Sequence, residues 1–246
     1  MSIFNKKKYK HTVITNPNYR VITVEQPSSI AAESFRRVKV ALEFADVDCN
    51  LQVIQVISAV QGEGKTTTLL NIAATYAEDK KKVLVVDLDF RRPKLHRSFN
   101  VENKDGISDV LAGNITLDKA IKHGSYGVDL LNRGSKVPYP TVVIGSHSMA
   151  DLFTKLRTMY DVILIDCPPV LAVSDGILIS RLTDGAIVVI SQEKTEKAAA
   201  KEAIVTLKKN QVKILGTVVT SISKKSDNYY GSKYKYYYQN YSGKKD

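Results

Sequence analysis

The sequence predicts an α/β protein built on a doubly wound, mostly parallel sheet with helices on both faces. Three observations carry this expectation. From Gln52 onward, short β-rich apolar runs alternate with longer helical stretches, the order that βαβ units produce. Runs such as KKVLVVDLD are apolar almost throughout, as strands covered on both faces of a parallel sheet must be. A glycine-bearing loop, SAVQGEGKTTT at 58–68, joins the first run to the first long helix.

The elements follow in chain order. SSIAAESFRRVKVALEFAD reads as a helix capped by Ser28 or Ser29, with Phe35, Val38 and Leu42 opposite Glu33, Arg36, Arg37 and Lys39. LQVIQVIS is the first strand, and KTTTLLNIAATYAED is a helix with Leu69, Ile72, Ala73 and Tyr76 on its apolar side. KKVLVVDLD is the second strand. Between Arg91 and Tyr139 the signal is weaker: short helical pieces at GISDVLAG and TLDKAI, then a strand near GVDLLNRG. KVPYPTVVIGSHS reads as a loop before a helix from about Met149 to Met159. DVILIDCPP, DGAIVVIS and VKILGTVVTSI complete the strands, with the amphipathic helix EKAAAKEAIVTLKKN before the last. No internal repeat is visible. The division expected is a basic segment at 1–27, one domain at 28–225 and a tail at 226–246.

The chain of 246 residues is long enough for one well-filled core. Its net charge of +11 sits largely at the ends. Residues 1–20 carry five Lys or Arg and no acid, and residues 226–246 carry four Lys against two Asp, which leaves about +4 for 21–225. That argues against a nucleic-acid-binding face. No apolar run approaches the ~20 residues of a membrane-spanning helix, and the basic N-terminus lacks the apolar stretch of a secretory signal. A cytoplasmic protein is expected. Cys49 and Cys167 have no CxxC spacing, so neither a zinc site nor a disulfide framework is indicated.

The loop at 58–68 has the chemistry of a phosphate cradle. Small residues let backbone N–H groups turn toward an anion, and the N-terminus of the following helix adds its positive dipole end. Gln61, Gly62, Glu63, Gly64, Lys65, Thr66 and Thr67 form the candidate nucleotide-binding set, with Lys65 on the terminal phosphates and Thr66 on Mg²⁺. Ala59 replaces the first glycine of GxxxxGK[ST], a small loss where φ is negative. The fold expected is therefore of the P-loop NTPase type. Asp87 and Asp89 end one apolar strand and Asp166 ends another, so all three reach the carboxyl edge of the sheet, where doubly wound folds bind ligands. An unpaired carboxylate ending a buried strand is costly unless a cation meets it. For Asp89 the alternative use is a pair with Arg91 or a cap on the next helix.

The C-terminus poses a different question. NYYGSKYKYYYQNY holds seven of the thirteen tyrosines, Tyr229, Tyr230, Tyr234, Tyr236, Tyr237, Tyr238 and Tyr241, without the period-two alternation of a strand. It reads as a disordered tail whose rings serve something other than a core. From about Ser221 it spans on the order of 80 Å at ~3.3 Å per residue.

SAVQGEGKTTT, VLVVDLDFR and VILIDCPP, followed by the tyrosine cluster, together resemble the bacterial tyrosine kinases of capsule and exopolysaccharide synthesis, from about Ser28 to the last residue. The short chain is similar to members whose kinase is separate from its membrane-bound activator. The resemblance implies an ATP- and Mg²⁺-dependent protein-tyrosine kinase that modifies its own tail in trans within a homo-oligomeric ring. Lys65, Asp87, Asp89 and Asp166 become catalytic, with Asp87 nearest the incoming tyrosine; Thr66, Asp89 and Asp166 become metal ligands, and the seven tail tyrosines become acceptors. It also implies a transmembrane activator, which alone brings the protein to the inner face of the membrane. ESFRRVK is similar to the family's ExxRxxR self-association motif through Glu33 and Arg36, with Lys39 keeping the charge of the last arginine but not its bidentate fork. Thr220 stands where related ATPases usually carry an Asn on the adenine, and the choice of ATP follows from the resemblance. Partitioning and septum-positioning ATPases are the competing class. Their loop carries a signature lysine where this chain has Val60.

Overall fold

A computed structural model describes residues 20–45 and 51–222. Helices α1 (Ile22–Glu25) and α2 (Ile30–Phe44) precede strand β1 (Val53–Ser58), and α3 (Lys65–Glu78) and β2 (Val83–Asp87) follow. The middle holds α4 (Leu95–Ser98), α5 (Ile107–Leu111), α6 (Leu117–Ala120), β3 (Lys122–His123) and β4 (Val128–Leu131). Then come α7 (Pro140–Ile144), α8 (His147–Met159), β5 (Val162–Asp166), α9 (Asp175–Ile179), β6 (Gly185–Ser191), α10 (Lys197–Lys209) and β7 (Ile214–Thr220).

The sheet runs β3-β4-β2-β5-β1-β6-β7. Every neighbouring pair is parallel except β3 with β4. The doubly wound, mostly parallel sheet is thus the one expected. Period-two alternation between two covered faces explains why its central strands are mostly apolar. Val53, Ile57, Leu84, Val86, Ile163, Ile165, Ala186 and Val188 face the layer made with α8 and α10, through residues such as Met149, Leu156, Ala203 and Leu207. Ile54, Val56, Val83, Val85, Leu164, Ile187 and Val189 face the layer of α2 and α3, including Leu42, Leu69 and Ile72.

Two expectations are corrected. The stretch at 136–148 is not wholly loop: Pro140 starts the five-residue α7, because its fixed φ suits the first turn of a helix. The domain also begins before Ser28. Val21 is 1% exposed within the second apolar layer. Asn71, buried on α3, accepts from the Thr23 N–H at 3.1 Å and donates to the Arg20 carbonyl at 3.0 Å. At the following helix, Ser29 is the cap, accepting from the Ala32 N–H at 3.1 Å.

Candidate nucleotide and phosphoryl-transfer site

The carboxyl ends of β1, β2 and β5 meet at one edge because the three strands are adjacent and parallel. The register sets Asp87 directly opposite Asp166. Above them lies a cavity of about 260 Å³ lined by Gln61, Lys65, Thr66, Asp89, Asp166 and the basic Arg91, Arg92 and Lys94, with Pro168, Pro169, Ala172 and Val173 as its apolar wall.

The loop between β1 and α3 is held open from below and from the side. Gly62 and Gly64 have φ of +84° and +92°, the left-handed region where only glycine is unstrained, whereas Ala59 is not among the positive-φ residues. Glu63 is buried at 1% exposed, and its side chain accepts the Val60 N–H at 2.7 Å and the Thr195 hydroxyl. The Glu63 side chain therefore braces the loop from within, and what it can offer a phosphate is its backbone N–H. Thr220, at the end of β7, donates its hydroxyl to the Glu63 carbonyl at 2.7 Å. A Cβ on Gly64 would meet the Thr220 side chain at 3.4 Å. Lys65, nearly buried, donates to the Ser58 hydroxyl at 3.0 Å, which in turn donates to the Val60 carbonyl at 2.7 Å.

The acids divide by environment. Asp166 accepts from the Thr66 hydroxyl at 2.7 Å through Oδ2, while its buried Oδ1 has no hydrogen-bond partner. That orphaned oxygen beside a hydroxyl is the donor pair a hard divalent cation takes, so the residues present fit Mg²⁺. Burial raises the Asp166 carboxyl to about 6 against the opposing pull of Lys65 and Thr66. Asp87 is fully buried and accepts the Lys94 and Leu95 N–H groups at 2.9 and 3.0 Å, fixing the loop after β2. Burial first, and the Asp166 charge second, push it up to about 8. Asp89 stands on the cavity wall and accepts the Arg92 N–H at 2.8 Å. The side chain expected nearest an incoming hydroxyl, Asp87, therefore lies beneath the wall, with Asp89 on it. Asp89 does not pair with Arg91, which instead makes a bidentate contact at 2.8 and 3.1 Å with Asp175.

Residues 51–218 match a family model described as an AAA domain. Over 220 residues the chain is 37% identical to tyrosine-protein kinase YwqD of Bacillus subtilis, an alignment that covers 87% of this chain and 92% of YwqD. The chain belongs to the bacterial tyrosine kinases. It is also 32% identical to the putative tyrosine-protein kinase CapB of Staphylococcus aureus, covering 84% of this chain and 92% of CapB. Against the putative tyrosine-protein kinase AmsA of Erwinia amylovora it is 31% identical and spans 33% of that longer protein. Among solved structures, the chimerical protein CapA2B2 superposes with a TM-score of 0.80 at 33% identity, covering 83% of this chain and 90% of that one. The kinase domain of the Escherichia coli tyrosine kinase ETK gives 0.77 at 29%, over 83% and 82%. The septum site-determining protein MinD of Pyrococcus horikoshii, complexed with Mg-ADP, gives 0.56 at 27%, over 68% and 69%. The fold is thus common to the kinases and to a septum-positioning ATPase, and the similarity is greater to the kinases.

The structure of the kinase brings together Lys65, Thr66, Asp89 and Asp166 around one cavity, with Gln61 at its rim, where its side chain accepts from Arg92 at 2.6 Å. Thr67 lies one residue further into α3. The seven tail tyrosines and Cys49 lie outside the described residues. Cys167 is a buried free thiol. Glu33, Arg36 and Lys39 are on α2, as expected, but the cations are engaged within the chain. Arg36 makes two 3.0 Å bonds to Glu78 and one of 2.8 Å to the Pro27 carbonyl, with Glu33 3.7 Å away. Lys39 pairs with Asp79. Asp175, Thr195 and the bracing role of Thr220 escape sequence reasoning, because each acts on a partner 84 to 157 positions away. Among the described residues, no helix is long and apolar enough to cross a membrane.

Proposed function

We propose that this kinase transfers the γ-phosphoryl group of ATP to tyrosines of its own C-terminal cluster, from one copy to another. The observation that carries the reading is the convergence of Lys65, Thr66, Asp89 and Asp166 on one cavity at the sheet edge, in a chain that ends in seven clustered tyrosines.

Phosphoryl transfer asks the protein chiefly to position groups and neutralise charge. The N–H groups of the glycine loop and the Lys65 ammonium, swung from Ser58, hold the β- and γ-phosphates. Thr66 and Asp166 would hold Mg²⁺, which would supply charge neutralisation on those phosphates. Asp89 meets the acceptor hydroxyl on the cavity wall, while Asp87 fixes the loop that carries it and, with its raised proton affinity, supports proton uptake. A phenol of ordinary pKa near 10 needs such a carboxylate only as a modest base. Pro168, Pro169, Ala172 and Val173 provide an apolar face for a tyrosine ring.

A ring of copies formed through Glu33, Arg36 and Lys39 would bring each tail to a neighbouring site. Each phosphate adds about −1.5 to −2 charges, so several would turn the basic tail strongly negative and loosen the ring. That cycle, coupled to a transmembrane activator that recruits the kinase to the inner membrane face, would regulate capsule or exopolysaccharide synthesis and export. The test is incubation with Mg–ATP, with and without an activator's cytosolic segment, followed by mapping of phosphate by mass spectrometry. Phosphotyrosine on residues 229–241, lost in Lys65→Met, supports the reading. ATP hydrolysis with no tail phosphate under either condition would move the protein to the partitioning-type ATPases.

A further inference from the structure

Four tyrosines lie among the described residues, and three are withheld from solvent. Tyr76 is buried on α3, and burial raises its hydroxyl above the ordinary range. Tyr160 is buried and donates to Asp129 at 2.8 Å. Tyr126 is partly buried against the α2–α3 layer, and burial raises its hydroxyl too. Tyr139 differs from all of them, with 73% of its surface exposed.

Its setting is that of a presented side chain. Tyr139 lies between Pro138 and Pro140, so neither neighbour can donate a backbone hydrogen bond to draw the segment into a sheet. Its backbone, at φ −124° and ψ 78°, is neither helical nor that of a strand. Pro140 is buried and begins α7, which fixes the tyrosine at the point where the chain leaves the surface. The segment also occupies the right edge of the molecule. It follows β4, which runs parallel to β2, and so emerges at the edge that carries Asp87 and Asp166. Arg133, in the same connection, reaches the Phe90 carbonyl in the loop after β2 at 3.4 Å. Tyr139 does not line the cavity of its own chain, so the enzyme that reaches it is a second copy.

We propose that Tyr139 is a phosphoacceptor within the folded domain, modified by another copy of the kinase, in addition to the tail cluster. The Tyr139 oxygen bonds to the γ-phosphorus of ATP as the bond from that phosphorus to the β–γ bridging oxygen breaks. ADP leaves, and the phenolic proton passes to a carboxylate of the second copy's site. This inference rests on the tyrosine-kinase reading of the same site.

The experiment mixes two full-length chains with Mg–ATP and an activator's cytosolic segment: an isotopically labelled Lys65→Met chain as acceptor and an unlabelled active chain as enzyme. Trypsin releases residues 137–155 of the acceptor, which contain one tyrosine, and mass spectrometry reads phosphate on that peptide and on the tail. The expected result is a gain of one phosphate at Tyr139 of the labelled chain. That gain is lost together with tail phosphate when the active chain is omitted, and is lost with the tail still modified when the acceptor also carries Tyr139→Phe. Tail phosphate with Tyr139 unmodified overturns this proposal and leaves the kinase reading intact. Phosphate at neither place overturns both.

Discussion

At the residue scale, the paired acids make the site sensitive to pH. Asp87 and Asp166 are raised from 3.8 to about 8 and about 6, chiefly by burial. Between those limits the folded protein holds more protons than the unfolded chain. Their contribution to stability is fully present below about pH 4 and is lost as the pH rises through the folded values. The ligand-free protein should therefore melt at a lower temperature at pH 8.5 than at pH 6. Binding of Mg–ATP should release protons, because a cation at Asp166 favours the charged forms. Titration calorimetry in buffers of different ionisation enthalpy measures that release, and an enthalpy independent of buffer would contradict the assignment. The two acids of VVDLD should also separate by mutation. Asp89→Asn should lower kcat by about 10²- to 10⁴-fold with little change in melting temperature. Asp87→Asn should also lower melting temperature, because it disturbs the carboxylate that accepts the Lys94 and Leu95 N–H groups.

At the element scale, β7 and the phosphate loop act as one unit. Thr220→Val keeps the shape and removes the donor to the Glu63 carbonyl. A neutral hydrogen bond is worth about 0.5–1.5 kcal/mol, so ATP affinity should fall by roughly 2- to 13-fold in equilibrium binding. Gly64→Ala should weaken binding further, because alanine at φ +92° costs about 1–2 kcal/mol. Such couplings bear on what the sequence disclosed. The central strands and α3 were legible because burial on two faces leaves an apolar run, and a 14-residue helix shows its full period. The two-residue β3 and the four- and five-residue α1, α4, α7 and α9 were not, being too short to show a period; α5 and α6, equally short, were read only as helical pieces without bounds. GEGKTTT, DLD and IDCPP announced the site because their chemistry is local. The brace from Glu63 to Thr195 and the clasp of Arg91 on Asp175 carry no local signal, since fold closure alone brings those residues together.

At the scale of the whole molecule, the question is how copies meet. The Arg36–Glu78 ion pair is partly solvated on both sides, where such a pair is worth about 1 kcal/mol or less to the fold. Charge reversal at Arg36→Glu should thus leave the monomer folded. If α2 joins copies, it should reduce the sedimentation coefficient of the assembly and the rate of tail phosphorylation together. Unchanged sedimentation would place the contact elsewhere. The reading of the whole chain rests on one act, transfer of phosphate from one copy's cavity to another copy's tail. The direct measurement uses an active chain with its seven tail tyrosines changed to phenylalanine and a Lys65→Met chain with its tail intact, mixed with Mg–ATP. The account predicts phosphotyrosine on residues 229–241 of the Lys65→Met chain, appearing at a rate that depends on the concentration of the active one. A Lys65→Met tail that stays unmodified, while the wild-type chain modifies its own, would contradict transfer between copies.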